Sequence, residues 1–280
     1  MLHYNEILPP SCLRNYVRFF WTLEDHDKNQ TSRAFRTIAD GCPGLIFQSS
    51  DEGTFYQSDK KLPGIFLYGQ FTAHTELQAT GRLSAIGVFF RPNALKAVFG
   101  LDAGILTDSC IDANSIAVRH GMDVQEQLLN ATTTTDKVNI LSSWLLTLVH
   151  KNDKQTDPGV QYAISSIADS KGSIPLKQLQ QTLQLSERSF ERKFRSAVGL
   201  TPKLFARICR FQASLQQLRN NNYTKLSDIA FENDYADQSH FIRAFREFAG
   251  FSPWQFRKQS PEVVENLSAL TPQQKENAVP

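Results

Sequence analysis

Short runs of apolar residues alternate with turn-forming residues over the first hundred positions of the chain. Phe- and Ile-rich runs at 35–50, 64–77 and 82–90 are broken by Gly, Pro, Asp and Ser. Runs of this length and spacing are typical of short antiparallel strands. This part of the chain is therefore predicted to be mostly β, as a small antiparallel barrel or sandwich.

A helical period replaces the strand pattern after residue 90. Residues 91–100 predict a short helix with Pro92 in its first turn and Gly100 at its end. Two further helical segments are predicted at about 114–130 and 136–150. A polar stretch that ends in Pro then predicts a linker, and a polar stretch closes the chain. The predicted organisation is a first domain at 1–150, a linker at 151–158, a second domain at 159–260 and a tail at 261–280.

The pattern of apolar residues in the second domain predicts helices almost throughout, and this domain contains an internal repeat. SFERKFRSAVGLTPKLFAR (189–207) and SHFIRAFREFAGFSPWQFRK (239–258) place Phe, Arg, Gly and Pro in the same order. Each copy follows a short helix and a tight turn. Two helix-turn-helix units are therefore predicted, with second helices at about 187–198 and 238–249.

Capping signals mark the ends of these helices. Ser186 and Asp237 are predicted N-caps of the two second helices. Gly199 and Gly250 are predicted to end them. The Thr-Pro and Ser-Pro pairs that follow each glycine are predicted to start the next helix, with Pro at its first position.

The second helix of each unit is amphipathic. Its Phe residues form one apolar stripe, and the opposite face carries side chains of types that can hydrogen-bond base edges in the major groove. The alternative is an ordinary solvated face, with Glu191 and Arg195 as an ion pair one turn apart. The base-contact candidates are Arg188, Glu191 and Arg192 in the first unit, and Gln238, Ser239, His240 and Arg243 in the second.

Charge supports a polyanionic partner for the second domain. The chain carries a formal net charge of +2, whereas residues 157–260 hold 15 Lys/Arg against 9 Asp/Glu.

The sequence contains no run of 18 apolar residues, so no membrane span is predicted. The first residues do not resemble a secretory signal. The four cysteines are widely spaced, which suits a reducing cytoplasm rather than a disulfide framework. The predicted location is cytoplasmic.

Residues Ile174–Lys258 resemble the DNA-binding domain of the AraC/XylS family of bacterial transcription regulators. The segment LSDIAFENDYADQSHFIRAFREFAGFSPWQFR carries the most specific part of the resemblance. It implies seven helices, promoter DNA as partner, the base-contact candidates above, and phosphate contacts from Arg195 and Arg246. One departure is Asp234-Tyr235, where the family has Gly-Phe. Because Asp tolerates a left-handed backbone, the turn is expected to be kept, and its extra negative charge is expected to weaken a nearby phosphate contact.

The first domain resembles a sensor-like domain of the same family through LPPSCLRNYVRFFWTLED, RTIADGCPGLIF and GVFFRPNALKAVFG. The resemblance implies an α+β chain: a mostly-β, cupin-like barrel with following helices, then an all-α domain. It also implies a sensor or dimerisation role, with a small-molecule effector, RNA polymerase as a further candidate partner, and a monomer or homodimer. The candidate effector-pocket residues are Trp21, Arg36, Phe71, His74 and Phe90.

An alternative function is a cupin-type metal-dependent enzyme with an accessory helical domain. A cupin metal site needs two or three His and a carboxylate that converge. The histidines of the first domain show no His-x-His pair, and His74 is the one that falls within a strand-like run. G-x-S-x-G, Walker A and H-E-x-x-H motifs do not occur. No catalytic residue, metal or cofactor is therefore assigned.

Overall fold

A computed structural model describes the chain at residues 2–25, 32–49, 53–152 and 157–258. Three predictions lie partly or wholly outside these residues: the middle of the linker at 153–156, the tail at 261–280, and His26. We define residues 2–152 as the N-terminal region and residues 157–258 as the C-terminal region.

Strands occupy most of the first ninety residues of the N-terminal region. The described strands are β1 (Leu2–Ile7), β2 (Val17–Asp25), β3 (Ser32–Thr37), β4 (Gly44–Gln48), β5 (Gly53–Gln57), β6 (Lys60–Lys61), β7 (Ile65–Tyr68), β8 (Thr75–Gly81), β9 (Ser84–Phe90) and β10 (Cys110–Asp112). The mostly-β prediction for this part of the chain is confirmed.

These strands form two open antiparallel sheets. The first has the order β1-β2-β9-β4-β7-β10, and the second has the order β3-β8-β5-β6. In the first sheet Trp21 lies opposite Gly87, and Ile46 lies opposite Phe66. No strand pairs across the two sheets within the described residues, so they do not close into a barrel. Of the two predicted alternatives, barrel and sandwich, the structure shows the sandwich, with two sheets face to face.

The first sheet packs against other elements on both of its faces. Alternate side chains along β2 point to opposite faces: Phe20 packs towards the helices, and Phe19 and Trp21 pack towards the second sheet. The central strand β4 is buried at every position. A sheet covered by helices on one face and by strands on the other has no solvent face, which accounts for its continuous apolar runs.

Helices α1 (Ala94–Phe99), α2 (Asn114–Arg119), α3 (Val124–Asn130) and α4 (Thr134–Asn152) complete the N-terminal region, with 3₁₀ turns at Ser11–Leu13 and Ala103–Ile105. The left-handed Gly100 ends α1 as predicted, although Pro92 precedes the helix instead of lying in its first turn. The single helix predicted at 114–130 is wrong. It breaks at Gly121, which has φ +75°, and Asp123 caps α3 by accepting from the N–H of Glu126.

The C-terminal region is helical. Its described helices are α5 (Pro158–Asp169), α6 (Leu176–Thr182), α7 (Glu187–Val198), α8 (Pro202–Arg219), α9 (Leu226–Glu232), α10 (Gln238–Ala249) and α11 (Pro253–Lys258). Seven helices with two helix-turn-helix units agree with the prediction. The long helix α8 joins the units, and Phe211 on α8 contacts the rings of Phe245 and Phe248 on α10.

The two regions share part of one core. Ile38 and Ala39, which follow β3, are buried among the side chains of the C-terminal region. The N–H of Ala39 donates to the carbonyl of Phe248 at 3.1 Å, and Gln212 Nε2 donates to the carbonyl of Ala39 at 2.6 Å. The segment after β3 is therefore fixed directly to α8 and α10.

Candidate nucleic-acid interface

The first helix-turn-helix unit consists of α6 and α7. Ser186 caps α7 by accepting from the N–H of Ser189, and Gly199 ends it with φ +88°. Phe190 and Phe194 are buried. These contacts fix one face of α7 on the core and leave its opposite face outside, as the sequence predicts.

The second unit, α9 and α10, has the same construction. Asp237 Oδ1 accepts from the N–H of His240 at 2.6 Å, and Gly250 ends α10 with φ +79°. Asp234 has φ +54°, so the left-handed turn expected at this residue is present. Phe241 and Phe245 are fully buried, which holds α10 on its core.

Most of the candidate DNA contacts are available on the outer faces of α7 and α10. The exposed ones are Arg188, Glu191, Arg192, Arg195, Gln238, Ser239, Arg243 and Arg246. Within the described part of the chain no ion pair joins Glu191 to Arg195. The two side chains therefore do not neutralise each other, in contrast to the alternative in which they form an ion pair on a solvated face.

His240 differs from the other candidates because it is half-buried. Its ring packs edge-on against Tyr235, with ring centroids 5.4 Å apart. Its Nδ1 lies 3.5 Å from the backbone N–H of Ala236, which donates to it. These contacts place His240 on the flank of α10 rather than at the centre of its outer face.

The C-terminal half of α7 lies beside the N-terminal region. Thr107 Oγ1 donates to the carbonyl of Gly199 at 2.7 Å. The 3₁₀ turn at Ala103–Ile105 lies close to Arg195, since a Cβ atom on Gly104 would be 3.9 Å from Arg195 Cγ and Nε. A cleft of about 840 Å³ separates α7 from α1 and this turn. The outer face of α7 therefore opens into a cleft, with Arg195 nearest the N-terminal region.

An ion pair at the start of α5 also touches α7. Lys193 Nζ lies 2.9 Å from Asp157 Oδ2, and Asp157 Oδ1 accepts from the N–H of Gly159 at 2.9 Å. The hydrogen bond from Lys193, followed by those from the backbone of Val160 and Gly159, holds the pKa of Asp157 below its ordinary value. The last part of the predicted linker is thereby tied to the first unit.

A small cavity of about 30 Å³ lies between the two sheets. Its polar lining includes Asp40, Tyr68 and Cys110. Burial raises the pKa of both the Tyr68 phenol and the Cys110 thiol, so both stay protonated at neutral pH. The apolar lining residues are Ile38, Ile46, Leu62, Phe66, Phe71, Leu77 and Phe89.

The five candidate effector-pocket residues are not brought together. Phe71 lines the cavity, and Trp21 is buried in the core between the sheets. Phe90 points to the other face of its sheet, edge-on to the ring of Phe99. Arg36 forms an ion pair with Glu76.

Arg36 and His74 contact the C-terminal region. The guanidinium of Arg36 lies 5.4 Å from the ring centroid of Phe251. His74 Nδ1 lies 3.3 Å from the carbonyl oxygen of Glu247. These two side chains lie at the contact between the regions, which no pattern in the sequence indicates.

The residues that sequence reasoning missed are those of the segment Thr37–Asp40. Thr37, Ile38 and Asp40 line the cavity, while Ile38 and Ala39 pack in the core of the C-terminal region. The run of apolar residues at 35–50 predicts strands here, and no local signal indicates that two of its residues belong to another core.

Metal-binding and membrane-spanning features are absent from the described residues. No three His, Cys, Asp or Glu side chains there come together in a way that would hold a metal ion. In the same part of the chain, no helix combines the length and the apolar character needed to cross a membrane.

Family models match both parts of the chain. Residues 179–259 match a model described as a helix-turn-helix domain. Residues 5–112 match a model described as a domain of unknown function (DUF6597). The match at 179–259 starts within α6 and spans both second helices, α7 and α10.

Two curated relatives share similarity over part of their length. An uncharacterized HTH-type transcriptional regulator of Haemophilus influenzae is 26% identical over 148 residues, which are 48% of this chain and 49% of that protein. The HTH-type transcriptional activator RhaS of Escherichia fergusonii is 28% identical over 125 residues, 42% of this chain and 45% of that protein. The chain thus spans about half the length of the curated relatives it matches.

Among solved structures, ToxT of Vibrio cholerae aligns over 91% of this chain and 97% of its own, with a TM-score of 0.42 and 12% identity. The family match at 179–259 coincides with two capped helix-turn-helix units joined by α8. The C-terminal region therefore contains a helix-turn-helix domain at residues 179–259.

Proposed function

We propose that the protein is a sequence-specific, DNA-binding transcription regulator that reads double-stranded promoter DNA through α7 and α10. The observation that carries this proposal is the pair of capped helices, each held on its core by buried Phe side chains, with exposed Arg and polar residues on the outer face. Such helices fit the major groove, where residues near the helix N-terminus reach base edges.

The two outer faces carry different side chains, which favours an asymmetric target. The first offers Arg188, Glu191 and Arg192, and the second offers Gln238, Ser239 and Arg243. Arg prefers guanine, Gln prefers adenine, and Glu accepts from cytosine. His240 is a weaker base-contact candidate because Tyr235 covers one side of its ring.

Arg246 is exposed one turn after Arg243, and it is proposed to contact phosphate. Arg195, at the equivalent position of α7, is proposed to do the same. Both assignments follow from position on the helix: side chains beyond the first turns lie farther from the base edges and nearer the strands that border the groove.

Residues 1–150 are proposed as a sensor or dimerisation domain and residues 159–260 as the DNA-binding domain. The cavity between the sheets suits a small, mostly apolar effector that hydrogen-bonds to Asp40 or Tyr68. At about 30 Å³ it is nearly closed, so a ligand has to widen it. Segment Thr37–Asp40 forms part of its wall and contacts α8 and α10, which supplies a route from effector to DNA-binding helices.

RNA polymerase is proposed as a partner in a transcription complex in the cytoplasm, where the DNA is found, and the protein is proposed to act as a monomer or homodimer. Binding rather than catalysis is proposed, because the relatives that match the C-terminal region are named as transcriptional regulators.

Genome-wide mapping of bound DNA, followed by fluorescence-anisotropy titration on a recovered fragment, tests the proposal. Binding to that fragment is expected to be about 10³-fold tighter than to a random duplex of equal length. Both affinities are expected to fall steeply with salt, because counterions are released from phosphates. Equal and salt-insensitive affinity for the two duplexes would overturn the proposal.

A further inference from the structure

A second cavity, of about 370 Å³, lies between the two helix-turn-helix units. Its walls are the loop that leads into α6, one face of α8, and the flank of α10. Its described lining includes Gly172, Lys203, Arg207, Arg210, Tyr235 and His240, and the others are apolar residues or Ser173. None of these described lining residues is an Asp or Glu, so the cavity wall carries only positive formal charge.

The cations of this cavity come from one face of α8. Lys203, Arg207 and Arg210 are spaced i, i+4 and i+7, which places them along the same side of the helix. His240 faces them from α10. Lys203 is exposed, and Arg207 forms an ion pair with Glu247, which lies outside the lining.

Arg210 is held in the cavity wall, and one of its hydrogen-bond donors has no acceptor within the described residues. Its Nη2 donates to the carbonyl of Gly172 at 3.0 Å, and its guanidinium lies 6.0 Å from the ring centroid of Tyr235. Its Nε is enclosed and has no hydrogen-bond partner among the described residues. A buried donor without an acceptor is costly. Because Nε itself is enclosed, an anion in the cavity would accept from the Nη groups of Arg210 rather than from Nε.

The cavity lies beside the face of α10 that is proposed to contact DNA. His240 and Ala244 lie one turn apart on the flank of α10, next to Ser239 and Arg243 on its outer face. When α7 and α10 enter two successive segments of the major groove, the protein surface between them faces the backbones that border the intervening minor groove. The cavity has walls from the loop before α6 and from α10, so it lies on the surface between the two units.

We propose that this cavity binds a phosphodiester of the DNA backbone between the two major-groove contacts, with Lys203 and Arg207 as the principal cations and Arg210 as a positioned donor. This inference rests on the proposed DNA-binding function. Phosphate contacts of this kind set the register of the protein on the duplex and carry no base preference.

The test measures the salt dependence of DNA affinity for the full chain and for the double variant Lys203→Gln/Arg207→Gln. The slope of log K against log salt is expected to become shallower by about 1 for each phosphate that the variant no longer neutralises. Affinity for the recovered fragment and for random duplex is expected to fall by the same factor, so their ratio stays unchanged.

Two matched variants separate local from general effects. Lys61→Gln removes a positive charge from the exposed strand β6, at the edge of the second sheet opposite β3, and is expected to keep the wild-type slope. Glu247→Gln breaks the same ion pair as Arg207→Gln but leaves the Arg207 cation in place. A slope that is not reduced in Glu247→Gln would assign the reduction in the double variant to the missing cations rather than to the broken pair.

The outcomes are distinguishable. If wild-type protein does not bind DNA, the proposed function fails. If wild-type protein binds DNA with salt-dependent affinity and the double variant keeps the full slope, this inference is overturned and the function stands. Titration with inorganic phosphate, followed by NMR of the His240 ring, shows whether the cavity is instead a site for a free anion. If the cavity saturates with phosphate in the absence of DNA and the double variant keeps the full slope, the inference is also overturned.

Discussion

The backbone N–H of Ala39 donates a hydrogen bond of 3.1 Å to the carbonyl oxygen of Phe248 on α10. Ala39 lies between two residues, Ile38 and Asp40, that line the cavity between the sheets. A ligand that widens this cavity is therefore expected to move a segment bonded to α10. Among the contacts between the regions, the one that links this cavity to α10 passes through the four residues Thr37–Asp40.

Gln212→Ala is expected to loosen this connection, because Gln212 Nε2 donates to the carbonyl of Ala39. Removing one such hydrogen bond costs about 1 kcal/mol, which corresponds to about fivefold faster amide hydrogen exchange at Ala39 if that amide exchanges by local opening. Gln216→Ala is the matched control, since Gln216 is exposed on the same helix. Equal exchange rates in the two variants would contradict the role of Gln212.

Arg243→Ala and Arg246→Ala are expected to affect DNA binding differently, although both side chains are exposed on α10. Arg243→Ala should cost about 1–3 kcal/mol and relax the preference at one base pair, whereas Arg246→Ala should weaken binding evenly across sequences. Anisotropy titrations over a set of single-base variants of the bound fragment would measure this. The same pattern of base preference in both variants would refute the assignment of roles.

Gln184 and Asp234 occupy equivalent left-handed positions, with φ +53° and +54°. A left-handed backbone costs an ordinary side chain about 1–2 kcal/mol, and Asp less. Because glycine also adds entropy to the unfolded chain, Gln184→Gly should raise the free energy of unfolding by about 0.5–1 kcal/mol, and Asp234→Gly by less. Urea denaturation would measure the free energy of unfolding of both variants. A larger increase for Asp234→Gly than for Gln184→Gly would show that the side chain does not determine the strain at these turns.

Phe245→Ala is expected to lower the free energy of unfolding by about 3–5 kcal/mol. The side chain is fully buried, and its ring lies 5.3 Å from that of Phe211 and 5.8 Å from that of Phe256. Phe231→Ala is the control, because Phe231 is 69% exposed and should change stability by less than about 0.5 kcal/mol. Thermal and chemical unfolding would measure the stability of the two variants. A similar decrease in the free energy of unfolding in both would be inconsistent with the burial of Phe245 in the core.

Asp157 is expected to titrate below the ordinary range of Asp, since Lys193 and two backbone N–H groups stabilise its carboxylate. A lowered folded pKa means that the carboxylate adds stability above the unfolded pKa of about 3.9, and that this stability is lost as pH falls through the folded pKa. Carboxyl NMR titration would give the pKa directly. In Lys193→Gln it should rise, and an unchanged value would exclude Lys193 as the main cause.

The helix-turn-helix units could be predicted from sequence because their signals are local. Ser186 and Asp237 are caps, Gly199 and Gly250 adopt left-handed backbones, and each acts within a few residues of its own position. The repeat then identifies the second unit once the first is recognised. The same reasoning locates the exposed Arg and polar side chains on α7 and α10.

The sheets are harder to predict because strand pairing is long-range. β2 pairs with β9, sixty or more residues away along the chain, and alternation along a strand does not say which of two buried faces a side chain joins. Phe90 is predicted to line a pocket, yet it lies on the helix-covered face. The part played by Ile38 and Ala39 in the other core has no sequence signature at all.

The placement of Ile38 and Ala39 in the core of the C-terminal region has a practical consequence. A fragment that begins at residue 157 would lack both side chains and would also uncover Phe205 and Ile208, which Gly41 approaches closely. Such a fragment would expose apolar surface that is buried in the full chain, so it should self-associate and melt at a lower temperature. The two regions are thus expected to unfold together, although their folds differ.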